Sequence, residues 1–177
     1  MAKAFLIILI RLPLAFVCDC SAQSINLESA GARFGFSPEG AGHGFHQAEA
    51  FVNLDLPWNW DLGASWLLQS RLEASAGWIG ESSDSAAIAT LGPTLALGQH
   101  SFPFSFECGI SPTVLTRSDF PTKDFGIPFQ FTSHGGANFD ITSHIRLSYR
   151  FQHMSNASLS RHNPGLNLQV FGLSYLF

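Results

Sequence analysis

The chain has 177 residues, of which 46% are hydrophobic and only 12% are charged. About a quarter of the residues in a typical soluble domain are charged, and no uncharged apolar run of about 18 residues follows the N-terminal region, so a soluble core and a bundle of transmembrane helices both fit poorly. The net charge of −4 argues against a nucleic-acid partner.

Residues 1–22 have the layout of a secretory signal. Lys3 precedes an apolar run, which ends in the small residues Ser21 and Ala22. We predict cleavage after Ala22, which leaves a mature domain of residues 23–177 with 7 Lys and Arg against 12 Asp and Glu, a net charge of −5. The mature domain keeps Cys108 as its one cysteine, so an internal disulfide is excluded.

Eight alternating segments follow the signal. Successive side chains of a strand point to opposite faces, so a strand of a membrane barrel has one parity apolar and the other polar or small. The pattern is clearest from Leu62 to Trp78, where most even positions are apolar while Arg71 and Glu73 are odd. The segments lie near residues 25–36, 46–56, 62–78, 85–97, 101–115, 127–141, 143–155 and 166–177. We therefore predict an all-β fold, an eight-stranded antiparallel transmembrane β-barrel.

The connections between these segments alternate in length and polarity. We predict short turns at 57–61, 97–101 and 140–143, and longer or more polar loops at 37–44, 78–85, 116–126 and 156–164. Outer-membrane barrels have short periplasmic turns and longer outer loops, so odd-numbered strands should run outward. Trp58 and Trp60 then lie at the inner interface. The inward parity of six charged residues predicts that they pair with one another inside the barrel: Glu49, Arg71, Glu73, Glu107, Arg146 and Arg150.

The seventh segment ends in polar residues on its apolar face. The odd positions from Ile145 to Phe151 are apolar, and His153 and Ser155 continue the same parity. Asn167 of the eighth segment has the lipid-facing parity too and should lie at the same outer end. A serine, a histidine base and an orienting group within hydrogen-bonding reach form a site for nucleophilic acyl transfer. The alternative is an interfacial histidine and serine that water or lipid headgroups satisfy.

The sequence "FQHMSNASL" followed by "HNPGLNL" resembles the signature of the lipid A 3-O-deacylase family. These are eight-stranded outer-membrane barrels that hydrolyse the ester-linked acyl chain at position 3 of lipid A. The resemblance implies that His153 is the general base, that Ser155 is the nucleophile, and that the backbone of Asn156 and Ala157 forms the oxyanion site.

Two positions depart from the family pattern. The family's acid is a glutamate where this chain has Asn167, and a small glycine is expected where it has Ser158. Asn167 can still accept the imidazole N–H and hold the ring, but it brings no negative charge to stabilise the imidazolium. We therefore expect slower catalysis.

The resulting hypothesis is a serine esterase of the bacterial outer membrane that acts on lipopolysaccharide, surrounded by outer-membrane lipids and needing no cofactor. Arg161 and His162 would meet lipid A phosphates, or else belong to a solvated loop. His43 and His46 resemble a metal pair only loosely, so we expect solvated histidines and no metal site. A homodimer is left open. The alternative functions are a non-catalytic structural or adhesion barrel and an acyltransferase.

Overall fold

A computed structural model describes residues 25–38, 44–99 and 101–177, and the predicted signal lies outside them. Eight antiparallel strands form a closed barrel in which each strand pairs with its neighbours in sequence and the first pairs with the last. Among the described residues, no helix is long and apolar enough to cross a membrane. The predicted fold class is confirmed. The strands are β1 (Asn26–Phe36), β2 (Phe45–Gly63), β3 (Trp66–Glu81), β4 (Asp84–Gln99), β5 (Phe104–Leu115), β6 (Phe129–Asp140), β7 (Ile145–Ser155) and β8 (Leu166–Leu176).

The first inner turn lies further along the chain than predicted. Residues 57–61 belong to β2, which continues to Gly63, and β3 begins only at Trp66. The chain reverses through Gly63, Ala64 and Ser65, whose φ angles of +81°, +50° and +68° are left-handed, as tight hairpins require. The prediction was wrong because Pro57 suggested a turn. Pro57 instead lies in a register irregularity between Asp55 and Asn59, where a strand tolerates a missing N–H.

The outer connection between β3 and β4 is also shorter than predicted. Residues 78–85 were expected to form a polar loop, but only Ser82 and Ser83 separate the two strands. The polar residues misled the prediction because Glu81 points into the barrel, where it is 1% exposed. Its carboxylate accepts hydrogen bonds from the backbone N–H and the hydroxyl of Thr122, in the loop between β5 and β6.

Charged side chains fill the middle and the inner end of the lumen. Arg150 lies 2.9 Å from carboxylate oxygens of both Glu73 and Glu107. Arg33 pairs with Glu49 and, at 2.9 Å, with Glu73. These contacts satisfy charges that would be costly to bury alone. The six charged residues were predicted to pair with one another, and this is correct for Arg150, Glu73 and Glu107. It is wrong for the other three, because Glu49 pairs with Arg33, and Arg71 and Arg146 pair with Glu28. Arg33 and Glu28 were not included in the prediction.

An apolar cluster, which we call the outer plug, fills the end of the lumen that the loop lengths predict to face outward. Phe45 of β2 packs edge-to-face against Phe120 and Phe125 of the β5–β6 loop, with ring centroids 5.2 and 5.8 Å apart. Met154, Leu166 and Leu168 complete the plug from β7 and β8, and each is at most 2% exposed. Because side chains alternate along a strand, burying these three directs their sequence neighbours to the outer surface.

Candidate active site

The outward residues at the outer end of β7 and β8 are polar. His153 and Ser155 flank the buried Met154, and Asn167 lies between the buried Leu166 and Leu168. All three outward residues are half-buried. The outward face of β5 is apolar by contrast, with Phe106, Ile110 and Val114 among its exposed side chains. His153, Ser155 and Asn167 therefore form a polar patch on an outer surface that is otherwise apolar, as on β5.

His153 and Asn167 are direct cross-strand partners. The Nδ1 atom of His153 lies 2.7 Å from the Oδ1 atom of Asn167. A carbonyl oxygen can only accept a hydrogen bond, so Nδ1–H donates it and the neutral ring carries its proton there. The Nε2 atom then has a free lone pair. The contact predicted from parity alone is present, and it leaves the histidine in the tautomer that a general base needs.

Ser155 is the last residue of β7 and pairs with Phe131 of β6. His153 and Ser155 are two positions apart on one strand face, so their Cα atoms are separated by about 7 Å. The described residues show no hydrogen bond to the Ser155 hydroxyl. Ser155 and His153, the predicted nucleophile and base, are therefore neighbours without a hydrogen bond between them. This is common in unliganded sites, because catalytic hydrogen bonds often tighten only when substrate binds.

Gly165 packs against the ring of His153. A Cβ atom built on Gly165 would lie 3.0 Å from Cε1 and 3.6 Å from Nε2 of His153, and the φ angle of Gly165 is +64°. Both the close approach and the left-handed backbone favour glycine. The backbone carbonyl of Gly165 accepts a hydrogen bond of 2.7 Å from the ammonium of Lys123, in the β5–β6 loop. The ring of His153 is therefore held by Asn167 at Nδ1 and by Gly165 beside Cε1 and Nε2.

Asn156 fastens the loop that follows the serine. Its side chain is fully buried and donates to the carbonyl oxygens of Phe125, at 2.9 Å, and His162, at 2.6 Å. Its backbone N–H donates to Oδ1 of Asn163 at 3.0 Å. One of the two predicted oxyanion donors is therefore occupied. No hydrogen bond to the Ala157 N–H occurs in the described part of the chain, so that group is free to donate.

The backbone bends sharply after Asn156. Ala157 and Ser158 both have left-handed φ angles, +51° and +65°. Such conformations cost non-glycine residues about 1 kcal/mol or more, and they persist where the surrounding contacts impose them. Ser158 occupies the position where the family pattern has glycine, and its φ angle explains why glycine suits that position.

The other predicted site residues are at the surface. Arg161 is exposed and has no hydrogen bond or ion pair among the described residues, whereas the exposed His162 lies 3.3 Å from Asp124. His43 lies outside the described residues, and His46 stacks on Phe34 with ring centroids 5.9 Å apart. Where the structure is described, no three His, Cys, Asp or Glu side chains form a metal-binding group.

Sequence reasoning missed three residues that shape the site: Lys123, Asn163 and Gly165. Lys123 acts through a contact between two loops, and Asn163 acts through a contact within the β7–β8 loop. Neither contact has a periodic signal in the sequence. Gly165 could have been suspected, because a glycine just before a strand often marks a close approach or a left-handed backbone.

The comparisons with known proteins concern the family and the fold of the chain. The profile of the lipid A 3-O-deacylase (PagL) family matches residues 46–176. The lipid A deacylase PagL of Bordetella bronchiseptica is 31% identical over 145 residues, which cover 77% of this chain and 80% of the relative.

Two solved structures have a similar fold. The crystal structure of the outer membrane enzyme PagL matches with a TM-score of 0.72 at 14% identity, covering 84% of this chain and 99% of that chain. Neisserial surface protein A matches with a TM-score of 0.53 at 10% identity, covering 88% and 100%. At these identities the two structures support the fold alone. By its sequence match over most of its length, the chain belongs to the lipid A 3-O-deacylase (PagL) family.

Proposed function

We propose that Ser155, His153 and Asn167 carry out the reaction that family membership assigns to this outer-membrane barrel, hydrolysis of the ester-linked 3-hydroxyacyl chain at position 3 of lipid A. The observation that carries the proposal is the 2.7 Å hydrogen bond between His153 and Asn167 on the outward face of β7 and β8. This hydrogen bond leaves Nε2 of His153 unprotonated, and Ser155 lies next to the histidine on the same outward face of β7. Lipid A, the substrate, lies in the outer leaflet.

In the first half of the reaction, the Ser155 hydroxyl attacks the ester carbonyl while Nε2 of His153 takes its proton. The carbonyl oxygen becomes an oxyanion, for which the free N–H of Ala157 is the proposed donor. The NH₂ group of Asn163 is a second candidate, because only its Oδ1 is used in holding Asn156. The imidazolium then gives the proton to the sugar oxygen, which leaves as an alcohol.

In the second half, water attacks the acyl-serine ester. His153 takes a proton from the water and returns it to Ser155, which releases the 3-hydroxy fatty acid and restores the enzyme. Asn167 orients the ring in both halves. Since it is neutral, it stabilises the imidazolium only as a hydrogen-bond acceptor, so we expect a turnover slower than a carboxylate would allow.

The proposal is tested by mass spectrometry of lipid A from cells that express the chain. We expect the loss of one 3-hydroxyacyl group and the appearance of the free acid. Ser155→Ala and His153→Ala should each abolish this change, because nucleophile and base act as a unit. Ser148→Ala is the matched control, since Ser148 lies on the same strand at a position of inward parity.

Folding is checked in every variant by the heat-dependent shift in gel mobility that is typical of closed barrels. Unchanged lipid A with a folded wild-type barrel would contradict the proposal and favour a non-catalytic structural or adhesion barrel. A gain in lipid mass would favour acyl transfer instead. Full activity in Ser155→Ala would show that this cluster is not the active site.

Two further parts of the proposal concern the mature protein. Residues 1–22 act as the export signal, and the intact mass of the protein from outer membranes tests cleavage after Ala22. The proposed nucleophile, base, orienting residue and oxyanion donors all lie in β7, in β8 or in the loop between them, so one chain suffices for catalysis. A homodimer is the open alternative, which cross-linking in membranes would detect.

A further inference from the structure

Among the described residues, Lys123 is a cation beside the proposed site that has no carboxylate partner. Its side chain is half-buried in the β5–β6 loop, and its one hydrogen bond among the described residues goes to the Gly165 carbonyl at 2.7 Å. The other cation of the loop, Arg117, differs because Asp84 and Asp119 lie within 2.8 and 3.4 Å of it. An ammonium has three donors, so Lys123 keeps two that the carbonyl does not use.

The residues before and after Lys123 in the chain are held in place by contacts with the barrel. Thr122, just before it, binds the buried Glu81 through its backbone and its hydroxyl. Phe120 and Phe125, on either side, are buried in the outer plug at 7% and 1% exposure. The ammonium is therefore presented by an anchored segment, and little conformational entropy remains to be lost when it binds an anion.

The distance to the catalytic histidine suits a single sugar unit. The ammonium contacts the carbonyl oxygen of Gly165. A Cβ atom built on the same glycine would lie 3.0 Å from Cε1 of His153. Adding the covalent bonds of Gly165 places the ammonium at most about 10 Å from the ring. An ester and a phosphate on the same sugar ring can span such a distance.

We propose that Lys123 recognises a phosphate group on the sugar whose ester Ser155 attacks. This inference rests on the proposed function and adds to it a preference for phosphorylated substrates. A phosphate oxygen would accept the two free ammonium donors, and such charge-assisted hydrogen bonds are about twice as strong as neutral ones. The exposed Arg161 and His162 lack this fixed geometry, and His162 already faces Asp124.

The test compares bisphosphorylated lipid A with lipid A that has lost the phosphate of the sugar carrying the ester. Both substrates are presented in neutral detergent and phosphate-free buffer, so that the substrate carries the only phosphate. We expect Lys123→Gln to lower kcat/KM for the bisphosphorylated substrate about tenfold more than for the dephosphorylated substrate, mainly through KM. Lys123→Arg should retain most of the preference, and Arg117→Gln, the matched control, should retain all of it.

Two results would overturn the inference. An equal loss with both substrates would mean that Lys123 acts only by holding Gly165 against the histidine. No loss with either substrate would mean that Lys123 has no part in recognition. Wild-type deacylation persists in both cases, so either failure is distinguishable from failure of the proposed function.

Discussion

Replacing Asn167 measures what the hydrogen bond to His153 contributes to catalysis. In the proposed mechanism the ring becomes an imidazolium during attack by the serine, and a hydrogen bond that involves a charged group is worth about 1.5–3 kcal/mol. Asn167→Leu keeps the approximate size of the side chain but removes the acceptor at 2.7 Å. Since about 1.4 kcal/mol corresponds to a factor of ten in rate, we expect kcat to fall roughly tenfold to a hundredfold.

Asn167→Asp tests the charge separately from the geometry. Aspartate has the same shape as asparagine, so one carboxylate oxygen can occupy the position of Oδ1. We expect a gain of about 1 kcal/mol in transition-state stabilisation, or roughly fivefold in kcat, and an increase with Asn167→Glu as well. The assay is release of 3-hydroxy fatty acid from lipid A in mixed micelles, with gel mobility as the folding control. Wild-type activity in Asn167→Leu would refute the orienting role, and an unchanged rate in Asn167→Asp and Asn167→Glu would show that the missing charge does not limit catalysis.

Three other predictions follow from the barrel and its turns. Gly165→Ala should lower kcat about tenfold, because the added methyl group displaces the histidine ring by a few tenths of an ångström. The matched control, Gly63→Ala, has the same left-handed strain at φ +81° with no atom within 4 Å, and equal losses in the two variants would contradict this reasoning. Arg150→Met should lower the free energy of unfolding by about 3–5 kcal/mol in a denaturant titration, since buried carboxylates lose their cation, and a shift below 1 kcal/mol would mean that the lumen network rearranges freely. In a background without the native cysteine, Asp119→Cys should react with a membrane-impermeant reagent on intact cells while Asn59→Cys should not, and the reverse would place the proposed site in the wrong leaflet.

Sequence alternation was sufficient to place the proposed catalytic residues. The parity of a strand fixes the face of each side chain, so His153 and Asn167 could be assigned to one surface, and antiparallel pairing brought them into contact. Alternation says little about where a strand ends. For that reason the reversal at Ala64 and the two-residue turn at Ser82 were misplaced.

The supporting contacts could not be predicted from the sequence, because they join loops that are far apart in the chain. Lys123 reaches Gly165 across 42 positions, and Thr122 reaches Glu81 across 41. Asn156, within the predicted signature, uses its side chain to hold the carbonyl of Phe125. Such contacts depend on how loops fold over the outer plug, and no period of two or 3.6 residues encodes them.

The proposed site residues His153, Ser155 and Asn167 point outward, so in this mechanism enzyme and substrate meet by diffusion in the plane of the membrane. A lumen site would sample molecules from bulk water, but a site on the outer wall samples lipids that diffuse sideways within one leaflet. The variable that sets the encounter rate is then the mole fraction of substrate in the membrane. Adding inert detergent at constant total substrate should slow the enzyme by surface dilution, and crowding of the leaflet by lipopolysaccharide should keep it close to saturation.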